Sequence, residues 1–198
     1  MRTLAGTLVV VALAAPWCRL PAQWGIGMDV GVARFGGSSR DSSGTRVGPY
    51  RPTTFELRID RGLGTRGATR VAIGVLYAKT GIAGEQAGLA IVQYDAASLW
   101  EIAPLVSFRL ARFGTGVEAR IEAGPAFELW DLNGESRNRV GGRAAAVVEW
   151  PVTSAFTGAL RVSSVSSGSL FDPGDTPSGV ERRATRRFGV ALGLRYRL

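Results

Sequence analysis

Apolar residues recur at every second position along most of the chain, and the positions between them are glycine, alanine or charged. In "WGIGMDVGVARF" Trp24, Ile26, Met28, Val30 and Val32 alternate with Gly25, Gly27, Asp29, Gly31 and Ala33. A period of two is the mark of a β-strand with two unlike surroundings. The pattern returns in "TTFELRIDR", where Phe55, Leu57 and Ile59 face away from Glu56, Arg58 and Asp60. It returns in "TRVAIGVLYA", with Arg70 on the polar face, and in "LWEIAPLVSFRLA", with Glu101 and Arg109 there. "TGVEARIEAGPAFE" sets Glu118, Arg120 and Glu122 against Val117 and Ile121. "RVGGRAAAVVEWP" contributes Arg143 and Glu149, and "SAFTGALRVSS" contributes Arg161. "FGVALGLRYRL" closes the series, with Arg195 and Arg197 opposite Leu192, Leu194 and Tyr196. Eight strands are predicted.

The glycines indicate which face points inward. Gly25, Gly27, Gly31, Gly74, Gly189 and Gly193 all share the charged face. A water-facing strand has no use for glycine, which weakens it. A narrow cylinder does: eight strands leave an interior just wide enough for side chains to fill, and long Arg and Glu chains need small neighbours. The apolar rows then face lipid. Strand eight has 11 residues, so at about 3.3 Å per residue and about 45° tilt it covers about 26 Å, near the apolar band of a membrane barrel. Trp24, Tyr77, Trp100, Trp150 and Tyr196 stand near strand ends, as interfacial girdles do. The alternative is a soluble lipocalin-like barrel, apolar inside, carrying a small apolar ligand.

The connections alternate in length: long, short, long, short, middling, short, long. Membrane barrels sort short turns to one side and long loops to the other. Asn133-Gly134 is a hairpin turn signal. Residues 88–99 break the parity and predict either a long strand four, bulged near Ala96–Ser98, or a hairpin arm above the membrane, with the bulged strand preferred.

Composition adds an export signal. Arg2, the apolar run from Leu8 to Ala15 and the small residue Ala22 make residues 1–22 a secretory signal peptide, leaving residues 23–198 as the barrel. Cleavage there removes Arg2 and Arg19 and takes the net charge from +8 to +6. It also removes Cys18, the sole cysteine. No apolar run reaches the length of a membrane-spanning helix. The basic balance has no nucleic-acid motif to serve.

Together these features resemble the small OmpA/OmpX-type outer-membrane barrels: an all-β, eight-stranded antiparallel up-and-down transmembrane barrel. The resemblance is architectural and covers residues 24–198. It implies outer-membrane localisation, contact with outer-membrane lipid and lipopolysaccharide, assembly by the barrel-assembly machinery, and a monomer. The final Leu198 departs from the Phe usual in this class. Enzymes of this build that act on lipid use His with Ser or Asp, and this chain has no His.

Candidate chemistry is sparse. There is no G-x-S-x-G elbow, metal-ligand cluster or phosphate-binding glycine loop. Asp172 and Asp175 in "FDPGDTPSG" read as turn residues rather than calcium ligands. No cofactor and no catalytic residue are assigned; a carboxylate-only lipid-modifying enzyme is the remaining catalytic alternative. Glu56, Arg58, Asp60, Arg70, Glu101, Arg109, Glu118, Arg120, Glu122, Arg143, Glu149, Arg161, Arg195 and Arg197 are predicted to interleave as a structural ion network that plugs the lumen, because a lone buried charge is costly. Arg182, Arg183, Arg186 and Arg187, in "ERRATRR", are candidate lipopolysaccharide contacts. The expected role is non-enzymatic, structural or surface contact, with an extracellular partner that the sequence does not name.

Overall fold

A computed structural model describes residues 24–36, 39–40, 46–64, 67–86, 89–114, 116–132, 134–170 and 183–198. The predicted signal peptide, Asp172, Asp175 and Arg182 lie outside the described residues. Ten strands follow in order: β1 (Trp24–Gly36), β2 (Ser39–Arg40), β3 (Arg46–Pro49), β4 (Thr53–Leu63), β5 (Thr69–Gln86), β6 (Leu89–Phe113), β7 (Val117–Leu132), β8 (Glu135–Pro151), β9 (Phe156–Ser167) and β10 (Thr185–Arg197). All but β2 and β3 form the predicted eight-membered ring. Sequence neighbours pair antiparallel from β4 to β10, and β1 joins β10 on one side and β4 on the other. The ring has no open edge, so its backbone groups are satisfied without water.

The alternation settles the direction of the faces. Leu192 is 62% exposed and Leu57 61%, whereas Arg58 beside it is buried. Every ring strand shows its apolar row outward. On β6 the row runs from Trp100 to Leu110, about 34 Å of strand and about 24 Å of height at a tilt near 45°. Charged residues end the rows: Arg34 on β1, Asp131 on β7 and Arg112 on β6 are exposed just past the apolar stretch. Aromatics mark both limits. Phe156 and Tyr196 pack with ring centroids 5.1 Å apart at the end where the chain termini meet, and Tyr77 and Trp100 lie 4.8 Å apart near the other. A lipocalin-like barrel has the opposite polarity and is excluded by this arrangement.

The termini and the short connections share one end, where the Leu198 amide donates to the Trp24 carbonyl at 3.0 Å. At the other end the strands continue well past the apolar rows. What reads in sequence as a middling loop between strands five and six is a continuation of β7 and β8 to a tight turn. There Gly134 takes φ 89°, and its amide donates to Asp131 Oδ1 at 2.8 Å. Likewise β5 and β6 extend as a hairpin arm. Thr80 pairs with Ala97 but Ile82 with Gln93, so Gly81 of β5 lies against three residues of β6, 94–96. The bulge lies beside the expected Ala96–Ser98, and its offset of two residues leaves the facing parity unchanged. The arm leaves β5 with a free edge, and β3 fills it, Arg46 opposite Glu85 through Pro49 opposite Ile82. Polar, glycine-rich composition hides these extensions in the sequence.

Glycine does on the inner wall what the sequence predicts. Gly193 sits directly opposite Asp29, and a Cβ there would strike the Asp29 carboxylate. Gly74 lies under the Glu56 carboxylate and Gly25 under the Arg195 guanidinium in the same way. Where Pro104 and Pro125 stand in line, the β6–β7 ladder lapses between the Ile102–Phe127 and Val106–Ala123 pairs, since neither proline has an N–H to give.

Candidate functional site

The ring's interior is the one place where chemistry-bearing side chains converge among the described residues. Inward positions of all eight ring strands supply them, in succession at Glu56, Arg58 and Asp60 on β4 and at Glu118, Arg120 and Glu122 on β7, so that the strands offer charges at several heights. A continuous series of ion pairs runs through the lumen. Asp29 accepts from Arg161 at 2.9 Å, and Arg161 also binds Glu122. Glu122 takes a two-pronged bond from Arg58 Nη1, at 2.9 and 3.0 Å. Arg58 reaches Glu56 at 3.2 Å, Glu56 meets Arg143 at 2.6 Å, and Arg143 meets Glu101 at 3.0 Å. Glu101 closes the series on Arg187. Four carboxylates thus alternate with four guanidiniums and the series is electrically neutral.

The pairs join distant walls. Arg143 on β8 and Glu56 on β4 are half a circumference apart, as are Arg187 on β10 and Glu101 on β6. Glu101 is fully buried. A buried pair is held in place only when its geometry is good and its remaining valences are met, and Arg's planar fork suits that demand. Two smaller groups lie nearer the termini. Arg195 grips Asp60 through Nε and Nη2, both at 2.7 Å. Glu118 gathers Arg109 at 2.9 Å, Arg120 at 3.0 Å and Arg70 at 3.7 Å, while Arg70 also binds Glu149 at 2.7 Å.

Above the ion pairs, toward the extended strands, the lumen turns apolar. Leu76, Ala78, Ala97, Leu99, Trp130, Leu132 and Leu170 form one buried cluster, with Phe35 and Ile82 against it. Phe35 meets the Trp130 ring edge-on at 5.5 Å. At the boundary the buried Glu128 accepts from Ser167 Oγ at 2.7 Å and from Trp130 Nε1 at 3.2 Å. Cavities between the charged side chains are about 20 Å³ each, room for about one water.

Of the candidate network residues, all but Arg197 are brought together inside. Arg197 is exposed at the rim beside the chain terminus, because β10 ends there and no opposite wall remains to face it. Arg187 also departs from expectation. It is no surface contact for lipopolysaccharide: it is buried, with Nη2 on Glu101. The reason is parity. β10 starts at Thr185, three residues earlier than its apolar run suggests, and odd positions on it point inward. Arg186 is outward and exposed, and Arg183 is exposed. Sequence reasoning left Asp29, Glu128 and Arg187 out of the network, although all three share the parity of their strand's inward face. Trp130 was equally readable by parity as an inward residue. No group of three or more His, Cys, Asp or Glu side chains suited to a metal occurs among the described residues.

No family model matches the sequence, and no curated protein does. Solved structures match the fold. Neisserial surface protein A (NspA) superposes with a TM-score of 0.56 at 17% identity, over 88% of this chain and 97% of that one. OprG, an outer membrane protein from Pseudomonas aeruginosa, superposes with a TM-score of 0.52 at 11% identity, over 89% and 95%. The chain therefore has the fold of the small outer-membrane β-barrels, and its continuous apolar exterior is a surface for lipid rather than water.

Proposed function

We propose that this protein is a closed, non-conducting barrel of the outer membrane without catalytic activity, acting as a structural or surface-contact element through the strands that project beyond the lipid. The carrying observation is the set of ion pairs that span the lumen from wall to wall, Arg143 to Glu56 and Arg187 to Glu101. They leave no aqueous path, and the apolar cluster around Trp130 seals the end with the long strands. The lack of His removes the usual general base, and each interior carboxylate of the long series is already committed to an arginine. The fold places both termini at the short-turn end, the periplasmic side in barrels of this kind, so the β2–β3–β5–β6 arm faces outward from the cell. Its partners in this reading are outer-membrane lipid, lipopolysaccharide and the assembly machinery, and it works as a monomer.

Planar bilayers containing the refolded protein are expected to show no stepwise conductance, and lipid A mass spectra are expected to be the same with and without the protein. Regular ohmic steps would overturn the closed-barrel reading. A change of one acyl chain or one phosphate in lipid A would overturn the non-enzymatic one.

A further inference from the structure

Outward charges are not spread evenly around the upper limit of the apolar band. Arg34 on β1 and Arg186 on β10 both point out and are exposed. Arg34 stands opposite Phe188, and Arg186 stands two residues before Phe188, opposite Gly36. The two arginines are therefore diagonal neighbours across one strand pair, with Cβ atoms about 7–8 Å apart or less. Neither has an acidic partner among the described residues. On the far side the outward position on β7 is Asp131, in one row with the outward Lys79 of β5.

The surroundings leave room for a ligand. The row through Arg186 reads Gly36, Arg186, Ser166, Gly142 across β1, β10, β9 and β8. A Cβ on Gly36 or Gly142 would meet nothing within 4 Å, so the arginine is flanked by a hydroxyl and open space. Below it the rows turn apolar: Arg34, Phe188, Ser164, Ala144, then Val32, Val190, Val162, Ala146. Phe188 and Val190 form a ridge on β10, and Ser164 and Val162 of β9 lie between it and a shallow strip of Ala144 and Ala146 on β8. Two donor forks stand at headgroup height and hydrocarbon-compatible rows lie beneath them.

We propose that this seam of β1, β10 and β9 is a binding site for the phosphate of an outer-leaflet lipid, a phosphorylated glycolipid of the lipopolysaccharide type. Arg34 and Arg186 bracket the phosphate, Ser166 adds a hydroxyl, and the acyl chains lie along Phe188, Val190 and the alanines. Paired guanidiniums match phosphate oxygens in geometry as well as charge. The site rests on the outer-membrane reading above. It also differs from the one expected from sequence, since Arg187 is turned inward.

The test is native mass spectrometry of the refolded protein in neutral detergent, titrated with bis-phosphorylated and with dephosphorylated lipid A. Wild type is expected to prefer the phosphorylated form. The double variant Arg34→Gln/Arg186→Gln is expected to bind that form about twenty-fivefold more weakly, at about fivefold per arginine. It should bind the dephosphorylated form as wild type does, and Arg112→Gln, at the opposite end of the barrel, should change neither. Equal binding of phosphorylated lipid A by the double variant would overturn the site. Displacement of the lipid by equimolar inorganic pyrophosphate would also overturn it, by showing a free-anion site. If instead wild type fails to enter vesicles and shows no heat-modifiable gel migration, the outer-membrane reading falls as well, a result distinct from either of these.

Discussion

Replacing Arg143 with methionine is expected to lower the stability of the folded barrel by about 3–5 kcal/mol, the cost of stranding buried charge. Arg143 is the junction of the long ion series, touching Glu56 at 2.6 Å and Glu101 at 3.0 Å. Without it, Glu56 keeps only Arg58 and Glu101 keeps only Arg187. Methionine keeps the unbranched stem and much of the volume, so lost charge rather than lost volume dominates. Urea unfolding in lipid vesicles, followed by tryptophan fluorescence, reads the change. The isolated Asp60–Arg195 pair supplies the contrast. Asp60→Asn alone leaves Arg195 without its counter-ion. Arg195→Met with Asp60→Asn removes both charges and is expected to cost much less than the two single changes added together. A loss below about 1 kcal/mol for Arg143→Met would place it with exposed ion pairs and sink the account of a sealed lumen.

Leu192→Arg is expected to cost about 2–4 kcal/mol, the penalty for a cation near the middle of a bilayer's hydrocarbon. Leu192 is 62% exposed, lies midway along the outward row of β10, and has Val30 and Leu160 beside it on the neighbouring strands. The same change at the end of the row, Leu198→Arg, is expected to cost little, because an arginine there reaches the interface. Depth dependence is the diagnostic quantity. Equal effects at both positions, or a solubility gain at Leu192 in the absence of detergent, would mean that this face meets water.

The sequence alone reveals the ring, its strand number and the direction of its faces, because glycine and alanine beside Arg and Glu leave a chemical trace of confinement. Most of the network is readable for the same reason: Glu56, Arg58 and Asp60 sit on one parity in a strand whose other face is Phe55, Leu57 and Ile59. Three things are hidden. The start of β8, Glu135 to Arg139, carries polar residues on both faces and so looks like loop, which hides the hairpin that it makes with the end of β7. Arg187 lies in a run of arginines where charge outweighs periodicity, although its odd position continues the inward parity of the apolar run that follows. The inner apolar cluster joins Leu76, Leu99, Trp130 and Leu170 from four separate segments, and nothing local in any of them announces the others.

The wall-to-wall pairs also constrain how such a cylinder comes into being. One partner of Arg143, Glu56, is 87 residues earlier in the chain and on the far side of the circumference. Zipping of β6, β7 and β8 brings Glu101 within reach of Arg143, but only closure delivers Glu56. A chain entering hydrocarbon one hairpin at a time would drag bare guanidiniums and carboxylates with it. Insertion is therefore tied to curling, and the last seam to join carries much of the electrostatic reward. Kinetically this favours a single concerted step, in which half-inserted forms are too costly to accumulate.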